Sequence, residues 1–348
     1  MLKSNLFLSI IIGVFLSMVV SKIVYFGFTP NYAADIFSHP AFNLRFQHDV
    51  YQYRVLCKYL LFAIDKSLEA DIPNSIVDPR LNVGTPGSSY RFYVAFYYLN
   101  TLFLGLTSIM TALLVHLKGK LQFSDAEKVL IVFLVPMVIG LTEFTVCFYD
   151  VSSYFFQLLI LFLYLQFVDR YFWATMIGIA LLVIVSTVNR ESSALSVSLI
   201  SVLLLTRFGL TKRIGAGIAM QAISFLVTYW ALHYFIVDPK HWGIYNIDVG
   251  QYLSDTNLMG IFFWILFFIL PMSLSRSVEN RWLIGAFFLA SFPYVYTCLR
   301  GGVLWEIRLY VPLFLASLFL SNLDVSSHAV KLSSLSFQAM RKRFGKAG

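Results

Sequence analysis

Residues 172–206 read FWATMIGIALLVIVSTVNRESSALSVSLISVLLLT. Two apolar runs, Phe172–Val188 and Ser193–Thr206, flank the polar turn Asn189-Arg190-Glu191-Ser192. A helix crosses a bilayer in about 20 mostly apolar residues, with a range of roughly 17–25. As helix, these 35 residues span roughly 52 Å, whereas two full crossings of a hydrocarbon core need roughly 60 Å plus a turn. The turn bearing Arg190 and Glu191 is therefore expected to lie below the membrane surface. Backbone turns at that depth persist only inside protein or beside a water-filled cavity. Ionisable residues placed there are functional candidates by default.

The same pattern extends over the whole chain. Its 348 residues are 59% hydrophobic and 13% charged, with a mean hydropathy of +0.75, against roughly 25% charged residues in a soluble domain. That composition excludes a cytosolic enzyme, a secreted disulfide scaffold and a nucleic-acid-binding domain. The expected fold is all-α, a polytopic transmembrane bundle of about ten spans. The spans read Asn5–Phe26, Phe92–Leu117, Val129–Val146, Ser152–Val168, Phe172–Val188, Ser193–Thr206, Ile214–Val237, Leu258–Leu274, Trp282–Tyr296 and Val303–Leu320. No repeat or soluble domain interrupts them, so residues 1–348 form one membrane domain, with a first outer loop at 29–91 and a basic tail at 321–348.

Orientation follows from the positive-inside rule. With the N-terminus inside, the inner segments hold 15 of the 26 basic residues against five of the 18 acidic ones, a net of +10. The outer side, with 11 basic and 13 acidic residues, nets −2. Both termini are thus expected in the cytoplasm. The pI of 9.3 is a topology signal and implies no nucleic-acid partner. The tail Arg341-Lys342-Arg343 adds a means of touching anionic membrane lipid. The first apolar run exceeds the usual 7–15 residues of a signal peptide, and Tyr32-Ala33-Ala34 lacks a small residue at the −3 position, so it reads as an uncleaved span. Cys57, Cys147 and Cys298 lie on or near the outer side, and their spacing fixes neither a metal site nor a disulfide.

The outer side also gathers the chemistry. In the first loop, Val50, Tyr53, Leu56, Cys57, Leu60, Leu61, Ile64 and Leu68 recur at helical spacing, with Lys58, Asp65, Lys66 and Glu69 on other faces. This predicts an amphipathic helix lying in the outer interface, preceded by Asp49 and Arg54. Residues 282–320 number 39, again short for two spans and a turn, which places Glu306 and Arg308 in the outer part of the tenth helix near Arg300. Glu143 and Asp150 flank the third and fourth spans. The bland alternatives remain open: Arg190–Glu191 and Glu306–Arg308 as internal ion pairs, Asp49 as a solvated loop residue, and Asp150 as a helix cap.

A planar guanidinium binds phosphate bidentately in a low-dielectric cleft, and a neighbouring carboxylate can serve as general base. That combination suits a polyprenyl-phosphate sugar, whose phosphate sits at headgroup level and whose tail lies between helices. The segments Asp49-Val50-Tyr51-Gln52-Tyr53-Arg54-Val55-Leu56, Val188-Asn189-Arg190-Glu191-Ser192 and Glu306-Ile307-Arg308-Leu309, with the span layout, resemble the GT-C class of integral-membrane glycosyltransferases in bacterial envelope polysaccharide synthesis.

The resemblance implies a lipid-phosphate sugar donor, a glycan or lipid acceptor, and a site on the periplasmic face of the inner membrane. It implies Asp49 as base, with Glu191 and Glu306 as further catalytic or orienting carboxylates. Arg54, Arg190, Arg300, Arg308, Glu143 and Asn189 are the expected substrate- and phosphate-binding residues. The chain departs from that class in lacking a paired Asp-x-Asp or Asp-Glu in the first loop and a soluble C-terminal domain. No cofactor is assigned, and a divalent metal stays an open option. An oligosaccharide repeat-unit polymerase and a flippase of lipid-linked sugars are the rival readings.

Overall fold

A computed structural model describes residues 5–27, 37–48, 52–73, 76, 88–143, 146–236, 254–300, 304 and 306–325. Among these the chain is helical, with no strand and one isolated antiparallel bridge, Leu121 to Leu323. The helices run α1 (Leu6–Gly27), α2 (His39–His48), α3 (Val55–Ser67), α4 (Tyr90–Val115), α5 (Asp125–Thr142), α6 (Asp150–Phe167) and α7 (Phe172–Asn189). They continue as α8 (Ala194–Phe208), α9 (Lys212–Phe235), α10 (Asp255–Ser273), α11 (Val278–Ala290), α12 (Phe292–Arg300) and α13 (Val311–Leu320). Asp49, Gly301, Gly302, residues 237–253 and the tail beyond 325 fall outside the described residues, as does the side chain of Arg300.

Each of the ten apolar stretches carries a helix, and six of these helices are long and apolar enough to cross a membrane. The count becomes seven when α11 and α12, bent by 57° at Ser291, form one broken span. Two expectations change. The ninth span is not continuous, because the chain turns between Ala290 and Phe292. The tenth helix begins only at Val311, with Pro312 in its first turn; proline has no N–H to donate and suits that position. Glu306 and Arg308 therefore lie in the turn before the helix and not within it.

Helix α1 buries a narrow face of Ser9, Gly13, Ser17, Val20, Ser21 and Val24, small residues four apart that let backbones approach closely. Ser17 Oγ lies 2.8 Å from Ser108 Oγ of α4 and donates to Gly13 O at 2.7 Å. A Cβ on Gly140 of α5 would collide with Val20 Cγ1, so any larger residue at that crossing must push Val20 aside. Helix α6 is the central element, packed against α4, α7, α8 and α13. Its Tyr154 hydroxyl donates to Arg308 O at 2.8 Å and its Gln157 amide to Pro312 O at 3.0 Å.

Charge separates the two ends of the bundle. At one end Ser124 caps α5 in a capping box with Glu127, and Glu127 also pairs with Arg276. Asp169 holds Lys120 at 2.6 Å and Arg207 at 2.5 Å. Gly209, at φ 68°, ends α8 in a backbone conformation that glycine adopts without steric cost. At the other end arginines and carboxylates are drawn inward. There α3 turns Cys57, Leu61 and Asp65 toward the bundle. Asp65 was expected on an outer face of this helix. It is instead buried, accepting from Arg91 Nε at 3.1 Å and Nη2 at 3.3 Å, with His39 Nε2 at 2.9 Å. A buried arginine at the start of α4 calls for a buried carboxylate partner, which overrides the amphipathic pattern at Asp65.

Candidate functional site

The site forms where four chain segments meet above α6. Tyr149 and Asp150 start that helix, Asn189 to Glu191 link α7 to α8, Arg54 precedes α3, and Glu306 to Arg308 precede α13. The α7–α8 link is a 3₁₀ turn, Glu191–Ser193, entered through Arg190 in an extended conformation. That geometry sends the two neighbouring charges apart. Arg190 reaches back to Asp150, while Glu191 turns to Arg54. Thr187 and Ser193 close the turn, with their hydroxyls 2.8 Å apart.

Asp150 is the centre. Its side chain is 0% exposed, and its two oxygens divide between Arg190 Nη1 and Arg308 Nη1, the latter at 2.7 Å. A buried carboxylate is tolerable only with such charged donors around it. Arg308 is fully committed: its Nε and Nη2 donate to Glu306 at 3.1 and 2.6 Å, and its Nη1 also contacts Cys147 Sγ. Arg190 keeps donor capacity, because its buried Nε has no hydrogen-bond partner among the described residues.

Arg54 forms the outward part of the network. Its guanidinium lies 4.0 Å from the Tyr149 ring centroid, and Arg190 is 5.4 Å from the same centroid, so one aromatic ring orders two cations. Arg54 Nε and Nη2 donate to the two oxygens of Glu191 at 3.2 and 2.5 Å. Burial works against the charge on Arg54, but Glu191 outweighs it and holds the guanidinium pKa above its ordinary value. The Arg54 side chain is 7% exposed and that of Glu191 30%, so of this pair the glutamate is the more accessible member.

Asn189 and Glu143 join the cluster with structural contacts. The Asn189 amide donates to Tyr149 O at 3.1 Å and accepts from Ser152 Oγ at 3.0 Å, fixing the start of α6 against α7. Glu143 caps the end of α5, and its Oε2 accepts from Asn100 at 2.8 Å. Asn100 Nδ2 also lies 2.6 Å from the Tyr25 hydroxyl and 2.9 Å from Cys147 O, while Glu143 Oε1 has no partner among the described residues.

Of the residues singled out in the sequence, Arg54, Asn189, Arg190, Glu191, Glu306 and Arg308 converge, with Glu143 linked to them through the Asn100–Cys147 contact. Asp150, taken as a possible helix cap, is the hub of the network, and Tyr149 is its cation platform. Both begin an apolar helix, and a carboxylate at the head of a membrane span was the available signal. The ion pairs within Arg190–Glu191 are not formed, whereas that within Glu306–Arg308 is.

An aromatic ladder leaves the site along α9. Tyr53, next to Arg54, lies 4.6 Å from His233, which is 4.0 Å from Tyr229, and Tyr229 is 5.7 Å from Phe225. Beyond Gln221 no side chain of α9 is fully buried, and Ile223, Leu226, Val227 and Trp230 are exposed apolar groups. All three cysteines are free and buried. Among the described residues no group of three or more His, Cys, Asp or Glu side chains is arranged to hold a metal ion. In comparisons with known proteins, no family model matches the chain, and neither does any curated protein or solved structure.

Proposed function

We propose that the chain is an integral-membrane glycosyltransferase of GT-C type. It transfers a sugar from a polyprenyl-phosphate donor to a glycan or lipid acceptor at the outer face of a bacterial inner membrane. The observation that carries this reading is the convergence of Arg54, Arg190 and Arg308 on Tyr149 and Asp150 at one end of an apolar helical bundle. Guanidinium groups held there are suited to a phosphate at headgroup depth. The aromatic ladder and the exposed apolar face of α9 beside them offer a surface for an isoprenoid tail.

The described contacts support roles for the arginines, and the base is carried over from the sequence. Arg308 is saturated by Glu306, Asp150 and Cys147, so it acts as scaffold. Arg54 and Arg190 are the phosphate-facing donors. Asp49, five residues before Arg54, lies within about 18 Å of it along the chain and is the proposed base. It takes the proton of the acceptor hydroxyl as that oxygen attacks the anomeric carbon. The bond from that carbon to the phosphate oxygen breaks, its electron pair leaves with the phosphate, and the arginines neutralise the charge that develops.

The test is transfer in liposomes, with the full chain, a labelled polyprenyl-phosphate sugar and a lipid acceptor. Wild type forms product, and Asp49→Asn, eluting as a normal monodisperse protein, forms none. Undiminished transfer by Asp49→Asn would overturn the base assignment. The buried Glu143, whose Oε1 has no partner among the described residues, favours one second reading, a proton-coupled carrier of lipid-linked sugars; translocation without covalent product would select it.

A further inference from the structure

We propose that the Arg54–Glu191 pair is an exchangeable clasp. The phosphate of a membrane-borne substrate takes the place of the Glu191 carboxylate on the Arg54 fork, and Glu191 is displaced outward. The inference rests on the functional reading above and names how that site admits its phosphate.

Three features set this pair apart from the other ion pairs of the site. Its geometry is a two-point fork, Nε and Nη2 on two oxygens of one carboxylate at 3.2 and 2.5 Å. Two oxygens of a phosphate present the same arrangement to a guanidinium. Its exposure is one-sided: the Glu191 side chain is 30% exposed and that of Arg54 7%, so the glutamate is the more accessible partner to an incoming anion. Its cation is fixed by the Tyr149 ring at 4.0 Å, so the fork keeps its aim when the carboxylate leaves. Asp150 lacks this freedom, being enclosed between Arg190 and Arg308, and Glu306 presents one oxygen, Oε2, to Nε and Nη2 of Arg308 instead of a two-oxygen fork, and is itself buried.

The 3₁₀ turn explains how the carboxylate could move without unfolding a helix. Glu191 is the first residue of a three-residue turn between α7 and α8, where a side-chain rotation disturbs no long helical ladder. Arg190, one residue earlier, stays anchored to Asp150 and brings its Nε, which has no partner among the described residues, to the same anion. The displaced Glu191 then stands beside a phosphate, and like charges repel. Binding of the phosphate is therefore opposed by Glu191 twice, through competition for Arg54 and through repulsion afterwards.

This gives a sign opposite to that of an ordinary binding residue: removing the Glu191 charge tightens phosphate binding. The experiment titrates purified full-length protein in detergent with polyprenyl monophosphate, inorganic phosphate and uncharged polyprenol, followed by native mass spectrometry. Wild type, Glu191→Gln, Glu191→Ser and Arg54→Lys are compared, each after a monodisperse gel-filtration peak.

Polyprenyl monophosphate is expected to bind both Glu191 variants about tenfold more tightly than wild type, equivalent to about 1.4 kcal/mol. It is expected to bind Arg54→Lys at least tenfold more weakly, with polyprenol indifferent throughout. The same pattern with inorganic phosphate assigns the effect to the headgroup alone. Wild-type binding that is unchanged or weakened in both Glu191 variants overturns the clasp and leaves the glycosyltransferase reading standing. Absence of phosphate binding in every variant removes both.

Discussion

Asp150→Asn is the substitution that tests the reading of the site most directly. Both oxygens of Asp150 are in use, one by Arg190 and the other by Arg308 at 2.7 Å, and the side chain has no exposure to solvent. At an effective dielectric constant near 20, each unit-charge pair about 4 Å apart is worth about 4 kcal/mol, so roughly 8 kcal/mol of gross attraction is lost. Desolvation of the carboxylate, which asparagine avoids, returns part of that.

Asparagine brings a second problem of direction. Its carbonyl oxygen serves one guanidinium, and its amide hydrogens then face the other, donor against donor. Arg308 still has Glu306, but Arg190 is left without a direct carboxylate partner. Breaking a buried pair from one side costs about 3–5 kcal/mol, and that range is the expected loss. At about 2 °C or more per kcal/mol for a large domain, the melting midpoint in detergent should fall by about 6–10 °C.

The assay is loss of the monodisperse gel-filtration peak after heating, with Asp169→Asn as the comparison expected to lose less, the Asp169 side chain being 40% exposed. A double substitution, Asp150→Asn with Arg190→Met, should recover part of the loss, because the stranded cation is gone and its volume is filled by an apolar chain. A midpoint within about 2 °C of wild type for Asp150→Asn, a shift worth no more than about 1 kcal/mol, would refute the idea that Asp150 organises the arginines.

Gly140→Ala should lower stability by about 1–3 kcal/mol, since its Cβ would collide with Val20 Cγ1, while Gly178→Ala, with open space at its Cβ, should be neutral or slightly stabilising in the same heating assay. Asp169 has its pKa lowered: burial opposes this, but the hydrogen bond from Lys120 and the charge of Arg207 prevail. Its contribution is therefore present above the unfolded carboxylate pKa of about 3.9 and fades as pH falls through the lower folded value, so wild type and Asp169→Asn should converge in stability under acid and diverge at neutral pH. Burial pushes the Cys57 thiol up to about 12, with Ser152 acting weakly against it. At pH 8 a chain retaining only Cys57 should react with maleimide on the order of 10³ times more slowly than after denaturation, and rapid native labelling would show that α3 is not packed as described.

Helix positions were legible in the sequence because apolar run length is a local signal, and the ends of α1, α4, α7 and α8 fall within two residues of the expected boundaries. Those at the ninth and tenth stretches were not, since the break at Ser291 and the late start at Val311 depend on how the outer ends pack. Ser291 is buried and Tyr294 donates its hydroxyl to Leu309 O at 3.0 Å, contacts that no window of hydropathy contains. Asp65 shows the same limit. Its place on the helical wheel is that of a polar flank, but Arg91 and His39, which come from other segments, draw it into the bundle.

The charged residues divide on the same principle. Scarcity of charge in an apolar chain identified Arg54, Arg190, Glu191, Glu306 and Arg308 one by one, because each is costly to bury. Pairing was invisible, and sequence adjacency pointed the wrong way for Arg190 and Glu191. Adjacent side chains leave the backbone in different directions, so neighbours in the chain are poor partners in space, and each of these two found its counterpart at the head of another segment. Glu306 and Arg308, two residues apart at the entrance to a 3₁₀ turn, could meet. In the sequence Asp150 reads as a possible helix cap, because a carboxylate at a helix start has an ordinary explanation, a favourable place beside the helix dipole. That explanation accounts for an exposed residue. Once the side chain is enclosed, the dipole cannot offset its desolvation alone, and full burial at a helix start implies nearby cations. For a span that begins with aspartate in a chain this poor in charge, the unpaired arginines of other segments are the first place to look for its partners.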